Sequence, residues 1–125
     1  MNTNWRIDYY ISPSGDNPVK QFLDSLEKIQ KAKVFRIFMY YEQYGISSII
    51  PHTKKLSGTP FWEIRIRGKD NIRIPYLVNT EKSILVIHGF IKKTQKTPQK
   101  ELYIAYQRYK EWKKRLDKQV QNDII

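Results

Sequence analysis

The chain has 125 residues, 23 Lys and Arg against 12 Asp and Glu, and a formal net charge of +11. That length fits one domain spanning residues 1–125, and an apolar fraction of 40% is enough for a packed core, which excludes wholesale disorder. The absence of cysteine excludes a disulfide framework and a thiolate metal site, two His argue against structural zinc, and no apolar run nears the ~18 residues of a membrane span.

The start, Met1 to Arg6, lacks the basic-then-apolar layout of a signal peptide, so a soluble, cytoplasmic protein is expected. Trp5, Ile7, Tyr9 and Ile11 alternate with polar residues and predict a strand, ended by the turn Ser12-Pro13-Ser14-Gly15. Asp16 or Asn17 can cap a helix that has Pro18 at its first position. Val19, Phe22, Leu23, Leu26 and Ile29 form an apolar stripe. After a blurred phase at residues 30–33, Val34, Phe35, Phe38, Met39 and Tyr41 resume it, and Gly45 supplies the stop. A helical hairpin or kinked pair over residues 17–44 is predicted.

The second half reads differently. Trp62, Ile64 and Ile66 alternate with Glu63, Arg65 and Arg67, which predicts a strand with one polar face. Residues 68–71 form a hairpin-like connection to a strand over Ile72–Val78, in which Pro75 implies an edge position or a bulge. Residues 83–90 are apolar on both faces, like a central strand. Thr97 and Pro98 open a helix that runs to about Leu116 and buries Leu102, Ala105, Tyr106, Tyr109, Trp112 and Leu116, with residues 119–125 fraying. The predicted order is β-α-α-β-β-β-α, an α+β fold with a small, mainly antiparallel sheet. Its helices are expected on one face, with the other face free for a ligand.

Charge is distributed unevenly along this order. Residues 1–50 carry six basic and five acidic side chains, whereas residues 51–125 carry seventeen and seven. Such asymmetry points to nucleic acid or another anionic partner. Lys54 and Lys55 precede the first strand of the second half, Arg65 and Arg67 share its polar face, Arg73 lies on the next strand, and Lys92, Lys93 and Lys96 follow the last. Neighbouring antiparallel strands bring such residues together. Phe61, Tyr76 and Phe90 lie close in sequence, and cations mixed with aromatics suit single-stranded RNA. Against this, a strand arginine row can be a merely solvated face, and Trp62 and the stripe Tyr106, Tyr109, Trp112 are expected in the core.

Carboxylates in this half are scattered and outnumbered, and no Ser or Cys is arranged with a His and an acid. A nuclease built on these residues is therefore expected to use no metal and no cofactor. The RNA 2′-hydroxyl would attack, cations would stabilise the phosphate, and a Lys of lowered pKa would move the proton. Tyr76 and His88 are auxiliary acid or base candidates, although a His in an apolar strand is more often structural.

Three segments carry a resemblance: Lys54 to Ile66 (KKLSGTPFWEIRI), Arg73-Ile74-Pro75-Tyr76, and Ile87 to Pro98 (IHGFIKKTQKTP) followed by Ile104-Ala105-Tyr106-Gln107-Arg108. Through them the chain resembles the RelE/ParE toxin superfamily, and more narrowly its phage-derived HigB-type branch. The resemblance implies a RelE-like, microbial ribonuclease-type fold and a type II toxin–antitoxin toxin, a ribosome-dependent, metal-independent mRNA endoribonuclease. It implies a cognate antitoxin, often a helix-turn-helix protein of HigA type, and contact with operator DNA only through that complex. Lys54, Lys55, Arg65, Arg73, Lys92 and Lys93 are then the catalytic candidates. Arg67, Phe90, Lys96, Arg108, Lys113 and Lys114 are the RNA-binding candidates, the last two lying in the Lys110–Lys118 stretch expected to dock on ribosomal RNA or on an acidic antitoxin surface. A non-catalytic, ParE-like gyrase inhibitor and a plain RNA- or DNA-binding module are the competing readings, because fold alone does not decide function.

Overall fold

The computed structural model describes residues 4–68, 71–93 and 97–124. Its elements are β1 (Arg6–Tyr9), α1 (Pro18–Asp24), α2 (Lys28–Tyr44), two single 3-10 turns (Ile46–Ser48 and Ile50–His52), β2 (Thr53–Lys55), β3 (Trp62–Ile66), β4 (Asn71–Thr80), β5 (Ser83–Val86), β6 (Phe90–Lys92) and α3 (Gln99–Ile124).

The fold is α+β, with one sheet in the order β1-β5-β4-β3-β2 and β6 paired to β4. The sheet is mixed, because β1 runs parallel to β5 and the remaining pairs are antiparallel. Two short strands, β2 and β6, are additional to the predicted order. The predicted strand over residues 83–90 divides into β5 and β6, both of which pair with β4. Pro75 lies at that division. The β4 partners jump from Arg73↔Phe90 to Tyr76↔Val86, and the Ile87 N–H donates to the Pro75 carbonyl at 3.0 Å. The missing proline N–H thus falls where the neighbouring strand is interrupted, and β4 is internal rather than an edge. The register shift in β4 lies at Val78–Thr80, away from Pro75.

The helical hairpin forms as the capping signals indicate. The Asn17 side chain accepts from the Lys20 N–H at 3.0 Å, Pro18 opens α1, and Gly45, at φ +87°, ends α2. The break falls at residues 25–27 rather than 30–33, and a capping box between Glu27 and Gln30 restarts the helix. That restart resets the helical phase. Val34, Ile37, Phe38 and Tyr41 are buried, whereas the stripe members Ile29, Phe35 and Met39 are exposed. Leu116, expected in the core, is also exposed.

The helices cover both faces of the sheet, a correction to the one-face expectation. Ile64, Ile66, Ile72, Ile74, Tyr76, Ile84 and Val86 pack on α1 and α2. On the other face Phe61, Leu77, Leu85 and Ile87 pack on Ala105 of α3, with Leu102, Tyr106, Tyr109 and Trp112 around them. This second cluster follows from the same strand alternation, because each strand supplies apolar residues to both sides. It occupies one end of the α3 face and leaves the β3–β4–β6 end to polar residues.

Candidate active site

At that end, alternation along β3 turns Glu63, Arg65 and Arg67 away from the α1–α2 core. The register then sets Lys54 opposite Glu63, Arg65 opposite Arg73, Arg73 opposite Phe90, and Asn71 opposite Lys92. Four strands so contribute to one cluster.

Glu63 is its centre and is fully buried. Its Oε1 accepts from Arg65 Nε at 3.2 Å and lies 3.6 Å from Arg73 Nε, while Oε2 accepts from the Thr97 hydroxyl at 3.3 Å. Arg73 is 7% exposed, and its NH1 donates to the Ile72 carbonyl at 3.2 Å. The buried Arg73 Nε has no hydrogen-bond partner among the described residues. Burial pulls the Arg73 guanidinium below its ordinary pKa, the Arg65 and Arg67 charges add to this, and Glu63 opposes it. Lys92, also 7% exposed, is held below the ordinary lysine pKa by desolvation first and then by Arg73, Arg65 and Lys54, against Glu63. Like charges directly opposite on neighbouring strands repel. One carboxylate among three close cations therefore holds Arg65 and Arg73 together and leaves the cluster net positive.

Residues 21–110 match the family described as phage derived protein Gp49-like (DUF891). The chain belongs to this Gp49-like family. The family is associated with toxin–antitoxin toxins of the RelE/HigB type. No curated protein matches the chain significantly. The matched stretch of the Gp49-like chain begins inside α1 and ends inside α3, so it contains every residue of the cluster.

Of the expected catalytic residues, Lys54, Arg65, Arg73 and Lys92 come together in the Gp49-like domain. Lys55 does not. It pairs with Trp62 on the opposite strand position, and its ammonium donates to the Leu56 and Thr59 carbonyls, tying down its own turn. Lys93 is exposed just past β6 and has no ion pair among the described residues. Arg67 is exposed at the end of β3, within reach of the cluster's field. Lys96 and part of the turn at residues 68–71 lie outside the described residues.

Three further expectations are corrected, those for Tyr76, Phe90 and Arg108, whereas His88 takes the structural role favoured for a His in an apolar strand. Tyr76 lies on the other face, 1% exposed in the α1–α2 core, and desolvation pushes its hydroxyl up to about 12. Phe90 is 5% exposed and stacked on His88 with ring centroids 5.6 Å apart, so its face is not open to a base. His88 and Arg108 form a structural network. Arg108 NH1 donates to His88 Nδ1 at 3.0 Å and to the Ile87 carbonyl at 3.1 Å, and His88 Nε2 meets Glu101 Oε1 at 3.0 Å. An Nδ1 that accepts from a guanidinium carries no proton, so the ring is neutral with its hydrogen on Nε2. Lys113 and Lys114 are exposed on the far half of α3.

Two residues were missed by the sequence reading. Glu63 was counted among scattered carboxylates, although its place in the Arg65–Arg67 row marked its face. Thr97 was read only as a helix cap. Among the described residues, no group of three His, Asp or Glu could hold a metal ion, and no helix is long and apolar enough to cross a membrane.

Proposed function

We propose that this Gp49-like protein is the toxin of a type II toxin–antitoxin pair and cleaves mRNA in the ribosome without a metal ion. The observation that carries the proposal is the cluster of Arg65, Arg73 and Lys92 around the buried Glu63, with Lys54 at its open side. In this mechanism the 2′-oxygen bonds to phosphorus as the bond to the 5′-oxygen breaks, which leaves a cyclic phosphate and a 5′-hydroxyl. Arg65 and Arg73 stabilise the charge that develops on the phosphate. Lys92, whose surroundings disfavour its ammonium form, takes the 2′-hydroxyl proton, and Lys54 protonates the departing oxygen. A cognate antitoxin of helix-turn-helix type neutralises the toxin, and operator DNA is met only through that complex.

Primer extension on an mRNA translated in vitro with purified protein tests this. Discrete cuts at the ribosomal A site are expected with the wild type and are lost with Arg73→Ala. The exposed Lys54→Ala, which leaves the core untouched, is expected to lower cutting at least tenfold. Arrested translation with uncut mRNA would refute the nuclease, and normal translation with inhibited DNA supercoiling would favour a gyrase target.

A further inference from the structure

The cationic surface does not end at the cluster. β2 pairs with β3 only as far as Thr53↔Ile64, so the outer edge of β3 is unpaired from Arg65 onward. Two open grooves meet across that edge. One, of about 620 Å3, lies on the cluster's side and is lined by His52, Lys54, Arg65 and Arg67 among others. The second, of about 400 Å3, lies against α2 and is lined by Lys33, Arg36 and Tyr40 together with the same His52, Arg65 and Arg67.

No carboxylate lines either groove. Arg6, Lys20 and Arg115 elsewhere are paired with Asp8, Asp24 and Glu111, whereas the lysines of distal α3 are exposed without an ion pair among the described residues. Lys33, Arg36, Lys54 and Arg67 have no ion pair among the described residues. Lys33 also reaches the end of β3, since a methyl built on Gly68 would come 3.2 Å from its Nζ. Tyr40 is half-buried, with its body packed against the α1–α2 core and its remainder in the groove. A supported ring beside unmatched cations is what a base and its phosphate require.

We propose that the two grooves form one track for single-stranded RNA, continuing from the cleavage cluster over the edge of β3 onto α2. Lys33 and Arg36 bind phosphates of nucleotides flanking the scissile bond, and Tyr40 stacks a base. His52, Arg65 and Arg67 join the two halves. The assignment of the ligand as RNA rests on the nuclease reading above.

The test is fluorescence anisotropy with two labelled, uncleavable 2′-O-methyl RNA probes, a trinucleotide and an octanucleotide. The wild type is expected to bind the longer probe at least tenfold more tightly, about what one stacked base supplies. Lys33→Ala/Arg36→Ala, both exposed positions on α2, should abolish that gain and leave trinucleotide affinity unchanged. Tyr40→Leu should remove much of it, whereas Tyr40→Phe should retain it. Lys28→Ala/Lys31→Ala removes the same charge from the same helix outside the grooves and should change nothing. An equal loss in that control, a gain that survives Lys33→Ala/Arg36→Ala, or no length dependence in the wild type would overturn the track. Cleavage is not read in this titration. Failure of the nuclease reading appears separately, as uncut mRNA with the wild type.

Discussion

Glu63 has no exposed surface and two arginines within 3.6 Å, so the carboxylate and the guanidinium groups compensate one another in the interior. Removing one partner of such a group leaves an uncompensated charge in the interior, which costs roughly 3–5 kcal/mol. Glu63→Gln keeps the shape and a hydrogen-bond acceptor but lets Arg65 and Arg73 face each other across the strand pair. A fall in urea-unfolding stability near the lower end of that range is expected, and a loss under about 1 kcal/mol would mean that the carboxylate is not what holds the pair. His88 makes a pH prediction. Its pKa lies below the ordinary 6.5 because burial disfavours the charged ring and Arg108 repels it, with Glu101 opposing. The unfolded chain therefore binds a proton that the native state refuses. The stability tied to this histidine is complete above about pH 6.5 and is lost as pH falls below it towards the folded value. Urea midpoints for the wild type and His88→Gln should run parallel above pH 6.5 and diverge below it, with the wild type falling more steeply. Curves that stay parallel down to pH 5 would refute the neutral buried ring.

At the scale of elements, the cluster depends on a break in one strand. Residues 87–89 separate β5 from β6, and they bring Gly89 against the Phe22 ring of α1. A Cβ added at Gly89 would come within 2.4 Å of that ring. Gly89→Ala must therefore push α1 and β6 apart, and overpacking of this kind costs about 1–3 kcal/mol. Because β6 begins at the next residue and carries Lys92, the variant should lose RNA cleavage as well as stability. Phe22→Leu in the same chain should restore part of both, which a double-mutant cycle on urea midpoints and cleavage rates would measure. This break could not be read from the sequence, since a run that is apolar on both faces carries no mark of where pairing stops. The same limit hid β2, whose Thr-Lys-Lys has no alternation of apolar residues, and the parallel β1–β5 pairing, which joins segments far apart in the chain. What local chemistry dictates was legible: the strand pattern of β1, β3 and β4, the Pro18 and Gly45 helix boundaries, and the aromatic packing face of α3. Phe35 and Met39 were misread because periodicity was carried across Glu27, where the helix restarts.

Across the whole molecule, the excess of basic residues divides into three parts with different surroundings. Arg65 and Arg73 were legible as a pair from strand parity and hairpin register, whereas Lys54 and Lys92, grouped with them by nearness in sequence, are seated beside them by β2 and β6. Parity also separates Tyr76 from them, since it shares the phase of Ile72 and Ile74, although proximity in sequence had suggested otherwise. The second part, Lys33 and Arg36, could not be assigned from the sequence, because they reach the grooves from α2. The third part is the lysines of distal α3, where every residue from Lys113 to Ile124 is exposed. Salt dependence can tell these parts apart. Each phosphate neutralised on a single strand contributes about −0.7 to the slope of log affinity against log salt. About five contacts from the first two parts would lower affinity roughly 100-fold over a fourfold rise in salt. Lys54→Ala should make the slope for the octanucleotide shallower by about 0.7, and Lys33→Ala/Arg36→Ala by about twice that. Lys113→Ala/Lys114→Ala should leave this slope unchanged, because a short strand that follows the two grooves has no contact with distal α3. If those lysines instead dock the protein on ribosomal RNA, the same variant should weaken ribosome binding in a sedimentation assay. A slope that responds equally to all three variants would mean that RNA senses only the net charge of +11, and that the cluster and the grooves confer no particular path on it.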